Sequence, residues 1–177
     1  MSERSYEGLV TLRQPSQKGM ITLRGDFGEL SKAVPLPAPG TCVADGEKAV
    51  AWMSPDELLV LLPHAEVRTE IARVTAALKG THHLAADVSD ARVLFDIKGD
   101  ALRDVLAKLC PIDMRPSSTT IGRFRRTRLA QVPCAFWLRA EDHAELIVFT
   151  SVADYAWNVL TNAAQPAASV SYFTRQS

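Results

Sequence analysis

The side chains of this chain that could do chemistry are few and scattered. His82 and His83 stand beside Asp87, residue types that bind divalent cations. Adjacent residues at the start of a strand point to opposite faces, so both histidines cannot reach one ion, and a solvated loop is the simpler account. His64 and His143 fall singly in expected turns, without a serine or cysteine placed to form a nucleophile–base dyad. Cys110 ends a helical stripe and reads as a small buried hydrophobe. Asp87 and Asp90 flank Ser89 in a turn, where such side chains bond neighbouring amides; Asp96 lies on a strand. Arg24-Gly25-Asp26 spells an adhesion tripeptide but reads as a strand end and turn. No glycine-rich dinucleotide or phosphate-loop signature occurs.

One charge cluster stands out: Arg123, Arg125, Arg126 and Arg128, inside a stretch from Met114 to Ala140 that has no acidic residue. Arginines in this density suit phosphates or an acidic protein surface. Only Phe124 is at hand to stack on a base, and the 20 basic and 20 acidic residues of the chain cancel. A protein partner is therefore the better expectation, with RNA the weaker one. Of the costly aromatics, Trp52 and Trp137 belong to expected strands and to the core. Tyr155 and Trp157 cannot both face one side of a helix, so one is expected to project and anchor an interface.

These residues must be held by elements whose order can be read. The chain has 177 residues, 47% of them hydrophobic and 23% charged, enough for one domain or one built of two similar halves. Its three cysteines, Cys42, Cys110 and Cys134, describe no disulfide framework or paired-cysteine metal motif. With no signal-like start and no apolar run of roughly 18 residues, a cytoplasmic chain without membrane or nucleic-acid partners is expected.

Residues 1–19 are polar and aperiodic and read as a loose arm, 20–165 as a single α+β domain and 166–177 as a tail. Met20 to Arg24 alternates as a strand, and Pro35, Pro37, Pro39 and Gly40 form an extended connector. Ala49–Met53 and Leu58–Leu62 flank Ser54-Pro55-Asp56-Glu57, a hairpin turn. Val67, Ile71, Val74 and Leu78 mark one face of a helix ending at Gly80. Val93, Phe95 and Ile97 then alternate as a strand. Asp100 is placed to cap a helix carrying Leu102, Val105, Leu106 and Leu109, stopped by Pro111. Strands follow at 127–132, 135–139 and 144–149. A last helix carries Val152, Ala156, Val159 and Leu160, with Ser151 and Asp154 spaced as a capping box. This order implies helices packed on an antiparallel or mixed sheet.

Four segments in order resemble one family. Ala51-Trp52-Met53-Ser54-Pro55-Asp56-Glu57-Leu58-Leu59 is similar to a hairpin of the gamma subunit of heterotetrameric sarcosine oxidase. Asp87-Val88-Ser89-Asp90-Ala91-Arg92 resembles a turn of that family. Gly99 with Asp104 to Lys108 and Cys110-Pro111-Ile112-Asp113 resembles its helix and stop, and Ser151 to Trp157 the start of its last helix. The resemblance implies two ferredoxin-like halves, as in the folate-binding domain of the glycine-cleavage aminomethyltransferase. It also implies alpha, beta and delta subunits as partners. FAD, FMN, NAD, tetrahydrofolate and zinc are expected on those subunits, with no cofactor and no catalytic residue on this chain. The partner interface is expected at Arg123, Arg125, Arg126, Arg128, Tyr155 and Trp157. A different expectation, a stand-alone folate module, would use Asp87 or Asp113 to hold the pterin.

Overall fold

The structure is a computed structural model that describes residues 3–173. Its strands form two antiparallel sheets, and its described residues divide into two compact units, each with one sheet.

The continuous unit, Gln17–Arg92, holds β3 (Gly19–Gly25), α1 (Phe27–Leu30), β4 (Cys42–Asp45), β5 (Lys48–Ser54), β6 (Glu57–Leu62), α2 (Val67–Ala77) and β7 (His83–Asp87). The strand order is β4-β5-β6-β3-β7. The hairpin read at Ser54–Glu57 is present, with Ser54 opposite Glu57 across the turn. Proline presets the turn backbone there, and the Asp56 carboxylate accepts from the Ser54 hydroxyl at 2.7 Å. Val67, Val74 and Leu78 of the α2 stripe are buried with Ile21, Leu23, Leu58, Val60 and Leu62 of the sheet. The proline connector is irregular, as read; α1, capped by Asp26, and β4 were not foreseen.

The second unit is discontinuous in sequence, joining residues up to Ser16 to Val93 and beyond. It begins with β1 (Arg4–Glu7) and β2 (Thr11–Gln14) and continues through β8 (Arg92–Lys98), α3 (Leu102–Leu109), β9 (Arg125–Leu129), β10 (Val132–Ala140), β11 (His143–Phe149) and α4 (Ala153–Ala163). The order across the sheet is β1-β2-β8-β11-β10-β9. Val93, Phe95 and Ile97 of β8, Cys134, Phe136 and Leu138 of β10, and Ala144, Leu146 and Val148 of β11 turn one face to the helices. There they meet Leu102, Val105 and Leu106 of α3 and Ala156 and Leu160 of α4. Alternate residues of a strand share a face, so the period of two read in β8 is what makes this core.

The expected loose arm is corrected: β1 and β2 pair from Arg4–Gln14 to Glu7–Thr11, and β2 continues onto β8. Gly8 makes their junction possible, because a Cβ there would sit 2.3 Å from the Ala164 carbonyl oxygen, and Leu9 N–H donates to that oxygen at 2.7 Å. The expected tail is held too. The Lys108 ammonium donates to the Ala163 and Ala168 carbonyls at 2.5 and 2.8 Å, and Tyr172 and Phe173 N–H donate to the Asp104 carboxylate. Residues 1–2 of the arm and 174–177 of the tail lie outside the described residues.

Both expected caps are corrected as well. Asp100 sits within a turn closed by the Leu102 N–H to Gly99 carbonyl bond, and the residue preceding α3 is Ala101. A 3-10 turn over Thr150–Val152 leads into α4, so Ser151 lies inside the helical path and cannot cap it.

The two-residue turn between β9 and β10 puts Ala130 at φ 50°, a left-handed conformation that its methyl group resists. Ala130→Gly is expected to stabilise the protein by about 0.5 kcal/mol, the relief exceeding the extra freedom of glycine in the unfolded chain. Urea denaturation checks this; a loss would show that the turn is not strained.

Candidate functional site

The arginine cluster spans the end strand β9 and the bend before it, and its members separate into two sets. Arg125 and Thr127 lie opposite Phe136 and Cys134, on the helix-facing side. Arg125 is tied down: its guanidinium donates to the Ser118 carbonyl, and its Nε is buried without a partner. It is part of the scaffold, not of an open patch. Arg126 and Arg128 face the other way, and their side chains, like that of Arg123, are exposed. Arg128 reaches the Gln131 carbonyl at 3.1 Å.

The aromatics also divide. Trp157 packs against the core with its ring 6.2 Å from that of Phe95, and the Arg4 guanidinium lies 5.8 Å from the Trp157 ring centre. Arg4 bonds Asp154 at 2.5 Å. Tyr155 is the one that projects, at 38% exposure. Trp137 is fully buried on the other face of β10, against Phe124 at 5.7 Å, while Trp52 is only half-buried.

Sequence reading missed what holds the loop leading to β9. Arg103 lies off the apolar stripe of α3, yet it is 6% exposed. Its guanidinium donates to the Met114 carbonyl at 2.7 Å, the Thr119 carbonyl at 3.0 Å and the Glu141 carboxylate at 2.5 Å. Asp113 closes the same loop, accepting from Arg115 through its backbone and side chain and from the Ser118 hydroxyl. A pattern of charged residues at the foot of a helix carried no signal for this, because the bonds go to carbonyls of a non-repetitive segment.

The carboxylates that could bind a ligand are engaged. Hydrogen bonds from Arg115, then Ser118, hold Asp113 well below the usual carboxylate range. Asp87 accepts from the Ser89 hydroxyl and backbone N–H at 2.6 and 2.9 Å, which lowers it too. Ser89 in turn accepts from Met20 N–H. His83 opens β7 against the Thr81 carbonyl, and His143 contacts Asp96. No group of three or more His, Cys, Asp or Glu able to hold a metal occurs among the described residues. Cys134 is pushed up by its bond to Cys110 and by burial. A thiol kept protonated is a poor nucleophile. No helix among the described residues is long and apolar enough to cross a membrane.

Asp56, Glu70, Asp87 and Asp113 all ionise more readily in the fold than free carboxyls. A depressed carboxylate adds stability above its unfolded value and loses it as pH falls through the folded one. Melting temperature is therefore expected to decline below about pH 4, the range of free carboxyls. In Asp87→Asn the decline should be shallower. Thermal melts between acid and neutral pH measure both; identical slopes would remove Asp87 from the account.

The fold places the chain in a class. It is similar to the glycine cleavage system aminomethyltransferase T from Bartonella henselae, with TM-score 0.64 and 14% identity, covering 83% of this chain and 44% of that one. It is more similar to a chain of the heterotetrameric sarcosine oxidase from Corynebacterium sp. U-96 in complex with pyrrole 2-carboxylate. There the TM-score is 0.83 at 25% identity, over 94% of this chain and 90% of that one. In sequence it is 30% identical to sarcosine oxidase subunit gamma of Corynebacterium sp. (strain P-1), over 92% of this chain and 84% of the relative. It is also 30% identical to the subunit gamma of Arthrobacter sp, over 80% and 73%. Residues 29–166 match the sarcosine oxidase, gamma subunit family, and the chain belongs to it.

Proposed function

We propose that this chain is the gamma subunit of a heterotetrameric sarcosine oxidase, where it acts as a non-catalytic scaffold. Its membership of the gamma family over residues 29–166 carries the reading. The end-to-end likeness to a chain of the heterotetrameric Corynebacterium enzyme supports it. In this reading the alpha, beta and delta subunits hold FAD, FMN, NAD, tetrahydrofolate and zinc. The assembly demethylates sarcosine to glycine, with peroxide and formaldehyde or methylene-tetrahydrofolate as products. The gamma chain buttresses the large folate-binding subunit in the cytoplasm.

The side-chain geometry supports a scaffold over a stand-alone folate module. Asp87 and Asp113, the acids that would hold a pterin, already accept bonds from Ser89, Arg115 and Ser118. Affinity capture of the tagged chain from its native cells tests the reading. The expected eluate contains larger flavin-bearing subunits and produces peroxide when sarcosine is added. A chain that comes down alone, and binds tetrahydrofolate when titrated, would replace the scaffold with the folate module.

A further inference from the structure

Strand β9 ends its sheet, so among the described residues one of its edges meets no strand. Gly122 N–H donates to the Leu138 carbonyl at 2.9 Å, so Leu138 turns its backbone toward the β9 side of β10. Cys134 and Phe136, an even number of residues away, turn the same way, and they are opposite Thr127 and Arg125. In an antiparallel pair, residues that exchange bonds alternate with residues whose groups point outward. The backbone N–H and carbonyl of Arg128 therefore point away from β10, toward the open edge.

The same edge carries the charge. The side chains of Arg126, Arg128 and Arg123 are exposed, and Ile121, 54% exposed, stands at the end where the chain enters the strand. The sequence from Met114 to Ala140 contains no Asp or Glu. We propose that this edge takes an extended, acidic segment of a partner subunit as a further strand of the sheet. Backbone bonds supply pairing, and carboxylates two residues apart on the incoming strand meet the arginines. The inference rests on the subunit reading above.

Charged side chains on an edge strand also serve merely to prevent edge-to-edge aggregation. Glutamate guards an edge as well as arginine does, so charge reversal separates the two roles. In the assembled complex captured through a tagged chain, Arg123→Glu with Arg128→Glu is expected to reduce the co-purifying subunits at least about tenfold, since like charges now face each other. Its circular dichroism and melting temperature should match wild type. The double lysine variant should stay within about threefold. Arg68→Glu, a reversal on the exposed side of α2, should have no effect.

Assembly of the glutamate variant at wild-type levels would overturn the inference and leave the subunit reading intact. Wild-type chain that captures no subunit would instead remove the subunit reading. Loss of single-stranded RNA binding in the glutamate variant, with assembly unchanged, would assign the edge to nucleic acid and overturn the proposal.

Discussion

Replacing Phe95 by alanine is expected to cost about 4 kcal/mol of stability. The side chain is fully buried at the centre of β8, against the Trp157 ring of α4 and within the cluster that also holds Leu12 of β2 and Leu106 of α3. Removing the ring takes away its transfer energy and leaves a void lined by groups that belong to different elements, which cannot all move inward together. The Trp157 ring, 6.2 Å away, loses the surface that orients it beneath Arg4. Urea denaturation followed through tryptophan emission should show both the lower midpoint and an altered native spectrum. Phe95→Leu, which keeps most of the volume, should cost about 1–2 kcal/mol. A loss below about 1 kcal/mol for the alanine variant would mean that the helices of this unit can collapse onto the sheet.

Arg103→Met should cost about 3 kcal/mol, although the substitution keeps the length and most of the volume of the side chain. The loss comes from the Met114 and Thr119 carbonyls, which the guanidinium satisfies at 2.7 and 3.0 Å in a buried position. Each charge-assisted bond is worth roughly 1.5–3 kcal/mol where water is excluded. The pairing with Glu141 adds little, because the Glu141 side chain is mostly in water. Glu141→Gln should therefore change stability by less than about 0.5 kcal/mol. Arg103→Lys should rescue only in part, since an ammonium cannot span both carbonyls in the fixed geometry of the fork. Limited proteolysis offers a second reading: cleavage between Asp113 and Thr120 should accelerate in the methionine variant. Equal cleavage in the two proteins would show that Arg103 does not hold this loop.

What could be read in the sequence was whatever depends on local spacing. The β5–β6 turn follows from Pro55 and Asp56, the α2 face from Val67, Val74 and Leu78, and the β8 strand from its alternation. The hairpin of β1 and β2 was illegible because Arg4-Ser5-Tyr6-Glu7 has a single apolar residue. Its reason to be extended lies in pairing with β2, which itself pairs with β8 far along the chain. The caps failed for a related reason. Asp100 and Ser151 have the right side chains, but the backbone closes those turns by its own bonds. At the candidate interface the sequence found the arginines and not their directions. Only the register with β10 shows that Arg125 turns inward while Arg128 turns out. Of Tyr155 and Trp157, the sequence foretold that one projects, and the packing of Trp157 on Phe95 decides which.

The interrupted unit sets an order of events during synthesis. The β1–β2 hairpin is made before the other described elements, yet its neighbour β8 follows only after the whole of Gln17–Arg92. At about 5–20 residues per second the hairpin waits roughly 4–16 s. An isolated two-stranded hairpin is barely stable in water, so Leu12 stays uncovered through that interval. The intervening segment needs nothing from either side to complete its own strand order, and it can close meanwhile. A chain cut short before Val93 would then carry a finished sheet after a hairpin that lacks its β8 partner. Burial of that first hairpin is thus a signature of a chain translated past β8, built into the topology itself.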